Sequence, residues 1–191
     1  MKHKLRRIAP AVAMLALAGA RCLAADSTPA AAAPEAAVWQ QHHESFTYEG
    51  FTARYTCDGI EGKVASILSY FGARKDMQIK ASGCPRGPET LSRTIWVTAD
   101  FYTLGTAAAD SPPGALVQSQ WTPFKLNGQY PFFMGPGDCE LIDSMRALLT
   151  HNFRLRNLDY DVSCTPYQET FVDFWFKGEV LKSSAKATST G

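Results

Sequence analysis

Beyond the first 25 residues the chain has four cysteines, Cys57, Cys84, Cys139 and Cys164, which form two pairs of similar spacing. Each pair brackets a stretch whose pattern reads as helix followed by strand. In an oxidising compartment such thiols form disulfides, and no other local feature restricts the possible folds of this chain as strongly. Four thiols permit three connectivities. A repeat in the surrounding sequence favours Cys57 with Cys84 and Cys139 with Cys164. Each such bridge would stabilise the fold by roughly 3 to 4 kcal/mol in the chain-entropy model. There is no C-x-x-C pair, so the cysteines read as structural rather than redox-active.

The N-terminus supports export. Lys2, Lys4, Arg6 and Arg7 precede an apolar run from Ile8 to Ala20, and Ala24 and Ala25 follow. Residues 1–25 therefore read as a secretory signal peptide, cut after Ala24 or Ala25, with Ala20 the alternative. The run is too short for a membrane anchor, which needs about 20 apolar residues. Arg21 stands where lipidation of Cys22 requires a small residue. Cleavage removes five of the 19 Lys and Arg and none of the 18 Asp and Glu, so the mature chain is net acidic by four. No clustered basic footprint survives, which excludes nucleic acid as the expected partner.

Residues 26–38 are nearly all Ala, Pro, Ser and Thr and read as a flexible spacer. Residues 183–191 read as a disordered tail. The stretch between them, 39–182, is one domain in size. It divides into halves at about 45–105 and 115–182, joined by a Pro-rich segment from Ala107 to Gly114. In the first half the pattern predicts strands at 46–48 and 51–57, a helix at 59–71, and strands at 77–81 and 94–104. The second half predicts strands at 121–126 and 130–134 around an Asn127-Gly128 turn, a helix at 139–152, and strands at 158–163 and 170–181. Ile60, Val64, Ile67, Leu68 and Phe71 make an apolar helical stripe that Leu141, Met145, Leu148 and Leu149 repeat. Asp58 with Glu61 resembles a capping box, Asp138 is a second acidic cap, and Gly72 suits a left-handed helix terminus. The expected fold is α+β: antiparallel sheet covered by two helices, from a duplicated ββαββ unit with two disulfides.

The closing strand of each half alternates. Ile95, Val97, Ala99 and Phe101 oppose Trp96, Thr98, Asp100 and Tyr102. Val172, Phe174 and Phe176 oppose Phe171, Asp173, Trp175 and Lys177. The apolar side should meet the helices. The other side carries aromatics with carboxylates, and left uncovered it would make a binding surface of Trp96, Asp100, Tyr102, Asp173 and Trp175. Segments Trp39–Glu44 or Ala107–Gly114 could instead cover it.

Other constellations are weaker. His42 and His43 point to opposite faces of a strand, and His151 suits a helix C-terminus, so a metal centre is not expected. Gly135, Pro136, Gly137 and Asp138 read as a turn, because Asp138 would repel an anion. Arg74, Lys75, Arg154 and Arg156 read as cations complementing the helix ends. There is no G-x-S-x-G, H-E-x-x-H or Walker-type loop, and no cofactor motif. Asp100 and Asp173 could do acid–base work if their strands were neighbours.

The stretch from Phe46 through Cys84, with Phe51, Tyr55, Cys57, Asp58, Glu61, Val64 and the run Phe71, Gly72, Ala73, Arg74, resembles a set of short exported proteins of Gram-negative bacteria that carry no assigned function. The resemblance implies a periplasmic or secreted address and transfers no catalytic residue. The expected function is a non-catalytic envelope module that binds a protein partner or glycan. The alternative is a small hydrolase acting on an envelope polymer.

Overall fold

The computed structural model describes residues 34–85, 90–169 and 174–184. The expected signal peptide, most of the spacer, Asp173 and the tail from residue 185 lie outside them.

The elements in chain order are β1 (Glu35–Glu49), α1 (Cys57–Tyr70), β2 (Gln78–Ser82), β3 (Thr94–Thr106), β4 (Val117–Leu126), α2 (Cys139–Asn152), β5 (Leu155–Asp161) and β6 (Trp175–Ser183). All six strands form one antiparallel sheet in the order β2-β3-β1-β4-β6-β5. The α+β class is as the sequence implies. Each half contributes strand, helix, strand, strand, and the two three-stranded arrays are arranged head to head about the β1–β4 junction. The cysteines pair within each half, Cys57 with Cys84 and Cys139 with Cys164. Each bridge ties the start of a helix to the chain just past the following strand.

The repeat unit is one strand shorter than expected. Residues 51–57 form no strand beyond an isolated bridge between Tyr55 and Ser92, and 130–134 form none beyond one between Asn127 and Tyr130. In compensation, β1 is far longer than the predicted 46–48. It takes in Glu35 to Val38 from the expected spacer and all of 39–44, which was expected to be loop. Its polar residues concealed it, because neither face of this strand carries a continuous apolar row.

Side-chain alternation sorts the sheet into two faces. Tyr48, Ile95, Val97, Ala99, Phe101, Phe124, Leu126, Phe174, Phe176 and Val180 all point one way and are buried with the apolar stripes of α1 and α2. Both α1 and α2 pack on this face and neither lies on the other.

Local chemistry at the helix ends differs from the sequence reading. Thr56 caps α1, accepting from the Gly59 N–H at 3.0 Å, and Asp58 does not. Glu61 completes no capping box and accepts from the Ala81 N–H at the outer edge of β2. Asp138 stands at the N-cap of α2 without capping it. Gly72 does adopt a positive φ of 94°, in a Schellman closure in which its N–H reaches Ser69 O and that of Ala73 reaches Leu68 O.

Candidate functional site

The strand register brings three neighbouring strands together on the open face. Gln41 and His43 of β1 lie opposite Tyr102 and Asp100 of β3, and Gln78 of β2 lies opposite Asp100 from the other side. Just before β2, Asp76 completes a hollow of about 460 Å³ lined by Gln41, Asp76, Gln78, Asp100 and Tyr102. A second hollow of about 580 Å³ adjoins Ser45, Thr47, Ser82, Trp96 and Thr98 farther along the same strands. Trp96 is 65% exposed.

Ion pairs fix the first hollow. His43 Nδ1 lies 2.6 Å from Asp100 Oδ1. Arg74 makes a two-pronged contact with Asp76, at 2.7 and 2.6 Å, and lays its guanidinium over Tyr102, 3.7 Å from the ring centre. The Arg74 hydrogen bonds hold the Asp76 carboxyl below the usual carboxylate range. Arg74 therefore serves the open face rather than the end of α1. Its counterpart Arg156 pairs with Glu179 and covers Trp121, and Arg154 pairs with Glu35. The reading of Arg74, Arg154 and Arg156 as helix-end cations gives way to these partners.

Where the halves meet, Ala37, Leu104 and Leu181 are buried on this face beside Trp39, Val117 and Trp121. Trp39 and Trp121 hold equivalent places 82 residues apart, each beside an arginine. This central apolar strip accounts for part of the face as packing.

Of the five residues singled out from sequence, Asp173 lies outside the described residues and the other four do not form one site. Trp96, Asp100 and Tyr102 share β3. Trp175 is on β6, beyond β1 and β4, where its indole donates to Asp159 at 3.0 Å and Lys177 pairs with Asp159. β3 and β6 are not adjacent strands, and Asp173, the other half of the Asp100–Asp173 pair, lies outside the described residues. Gln41, Asp76 and Gln78 were missed, since only strand register reveals them.

His42 and His43 lie on opposite faces. His42 Nε2 is 2.8 Å from the Thr103 hydroxyl, and burial lowers the His42 pKa. Among the described residues no group of three or more His, Cys, Asp or Glu is placed to hold a metal ion. The turn before α2 is filled from within, the Gly135 N–H donating to Asp138 Oδ2 at 2.6 Å. No helix among the described residues is long and apolar enough to cross a membrane.

Comparison with known proteins finds no matching family model, curated protein or solved structure.

Proposed function

We propose that this is an exported, non-catalytic module of the cell envelope that binds a glycan along β3 on the open face of its sheet. The observation that carries the reading is the row Trp96, Thr98, Asp100, Tyr102, which lines two adjoining hollows. From Trp96 to Tyr102 is about 20 Å of strand, enough to run along an oligosaccharide rather than a single ring. An exposed indole offers a flat apolar surface for a sugar face, and Asp100, Gln41 and Gln78 offer hydrogen bonds to hydroxyls. Arg74 occupies one face of Tyr102 and holds the ring in place. Two disulfides suit an oxidising compartment and support the exported address.

The test is a titration of the purified protein with oligosaccharides released from bacterial envelope polymers, followed by tryptophan fluorescence and by product analysis. Saturable binding without turnover is expected. Trp96→Ala and Asp100→Ala should each weaken it about tenfold, roughly 1.4 kcal/mol. Absence of saturable binding across the panel overturns the reading. So does hydrolysis that disappears in Asp100→Ala.

A further inference from the structure

We infer that the loop between β4 and α2 docks this protein on a lipid bilayer, with Phe132 as the inserted side chain. Phe132 is 95% exposed and Tyr130 52%, whereas Pro131 and Met134 in the same loop are buried. This exposure is built in. Asn127 Oδ1 accepts from the Gln129 and Tyr130 N–H groups at 3.0 and 2.8 Å, and the Asn127 N–H donates to Tyr130 O. On the far side the Met134 N–H donates to Pro131 O at 2.8 Å and Lys63 Nζ donates to Phe133 O. With its main chain fastened on both sides, Phe132 cannot turn inward without breaking these bonds. A side chain presented in this way loses little further freedom on docking.

Phe132 leads a continuous aromatic patch. Phe133 meets it edge-on with ring centres 5.8 Å apart, and Tyr70 reaches Phe133 at 6.0 Å and Tyr130 at 6.4 Å. Beside these rings Ala65, Ser66 and Ser69 of α1 floor a shallow hollow of about 430 Å³, with Tyr70 and Phe133 as its walls. The polar atoms here are spent internally. Ser66 donates its hydroxyl to Gly62 O, and the Tyr70 hydroxyl both donates to Lys125 O and accepts from the Lys125 N–H. What remains outward is apolar and projecting.

Area and charge favour a bilayer over a second copy or a protein partner. The four rings together expose on the order of 400 Å², about half of what each side contributes to a standard protein interface. A bilayer needs no matching surface, and an apolar wedge sinks into it with tyrosine at the water boundary. No acidic residue lines the hollow or stands beside Phe132 in the loop tip. Asp138, beneath them, is 4% exposed and paired with Lys63 at 2.9 Å. Asp58 and Glu61 lie in the first turns of α1, and Glu61 is turned to the Ala81 N–H. The cations left over are Lys182, with Nζ 4.8 Å from the Tyr70 ring centre, and the exposed Lys125. An anionic headgroup layer therefore meets lysines and no exposed carboxylate among these residues. The inference is independent of the glycan reading. β1 and β4 run apart from their short overlap, so Trp96, opposite Thr47, and Phe132, past Leu126, stand toward opposite ends of the molecule.

Vesicle flotation, which involves no glycan, tests this. The purified protein should float with phosphatidylcholine vesicles containing about one-third phosphatidylglycerol, and bind about fivefold more weakly to phosphatidylcholine alone. Phe132→Ala should weaken flotation about tenfold or more. Its denaturation midpoint should not move, because the ring lies outside the core. Phe132→Trp should retain binding, and brominated acyl chains should quench the added indole while the native tryptophans keep their emission. Failure to float with the anionic vesicles overturns the inference. So does binding indifferent to Phe132→Ala, or an added indole that brominated chains leave bright. Self-association or protein capture that requires Phe132, without vesicle binding, assigns the patch to another occupant and overturns it equally.

Discussion

Asp138 lies buried where the two halves meet. Its carboxylate accepts from Lys63 Nζ at 2.9 Å, from the Gly135 N–H at 2.6 Å and from the Tyr55 hydroxyl. Lys63 also donates to Phe133 O, so it serves both the charge and a loop carbonyl. Removing the cation leaves a buried carboxylate with only neutral donors. Lys63→Met should therefore cost about 3 kcal/mol in chemical denaturation, well above what an exposed pair would give. Two buried phenols sit beside this charge, Tyr55 and Tyr48, with ring centres 5.2 Å apart. Burial first, and then the carboxylates of Asp138 and Glu140, raises both pKa values well above the ordinary tyrosine range. A raised folded-state pKa contributes stability that is complete below the unfolded value and is lost as pH climbs past it. Denaturation midpoints should hold up to about pH 10 and then fall, by up to about 1.4 kcal/mol per pH unit for each phenol. Tyr55→Phe should flatten that alkaline decline, and an unchanged slope would deny Tyr55 its part in it. Gly72 marks a different constraint. A side chain there meets both a left-handed backbone and the Lys182 methylenes, 3.0 Å from where its Cβ would sit, so Gly72→Ala should cost about 1 to 2 kcal/mol.

At the level of elements, the disulfides and helices were legible in the sequence because both are written in local spacing. The α1 and α2 stripes are buried as the periodicity implies, and the repeated offset matched each cysteine to its partner. β1 was not legible, since Gln40, Gln41, His42, His43 and Glu44 carry no apolar alternation and the residues before them resemble a linker. The strands expected at 51–57 and 130–134 failed for the opposite reason: Tyr55, Phe133 and Met134 are apolar because they pack on the core from loops, and the segments make no more than isolated bridges. The candidate site was half readable. Alternation along β3 exposed Trp96, Asp100 and Tyr102, whereas Gln41, Asp76 and Gln78 reach them only through register with β1 and β2. The two bridges, alike in spacing, should differ in worth. Replacing either pair with alanine forfeits roughly 3 to 4 kcal/mol of loop restraint. Cys139 is also part of the buried core, while Cys57 is half-buried. The Cys139/Cys164 replacement should accordingly be the more destabilising by about 1 kcal/mol in guanidinium titrations, and an inverted order would refute this placement of the core.

Across the whole molecule, three residue pairs between β1 and β4 are the only strand pairing that joins the halves among the described residues. So short a junction cannot by itself make six strands one cooperative unit. The helices supply the remainder by crossing it. Phe71, just past α1, packs on Phe124 and Phe176 of the second half, with ring centres 4.7 and 5.9 Å away. Phe153, just past α2, reaches back to Phe101 of the first half at 6.0 Å, and the two meet at 5.5 Å. Each half thus closes the core of the other, although each keeps its own disulfide. Two consequences separate this arrangement from a pair of independent repeats. Unfolding should be a single transition, so variants retaining only Trp96, on β3 of the first half, or only Trp175, on β6 of the second, should report the same denaturant midpoint. Phe71→Ala, which empties the crossing, should cost about 3 to 5 kcal/mol and lower both midpoints together. Midpoints that separate in the wild-type background, or a Phe71→Ala loss confined to one reporter, would show instead that the sheet is two modules joined at a corner.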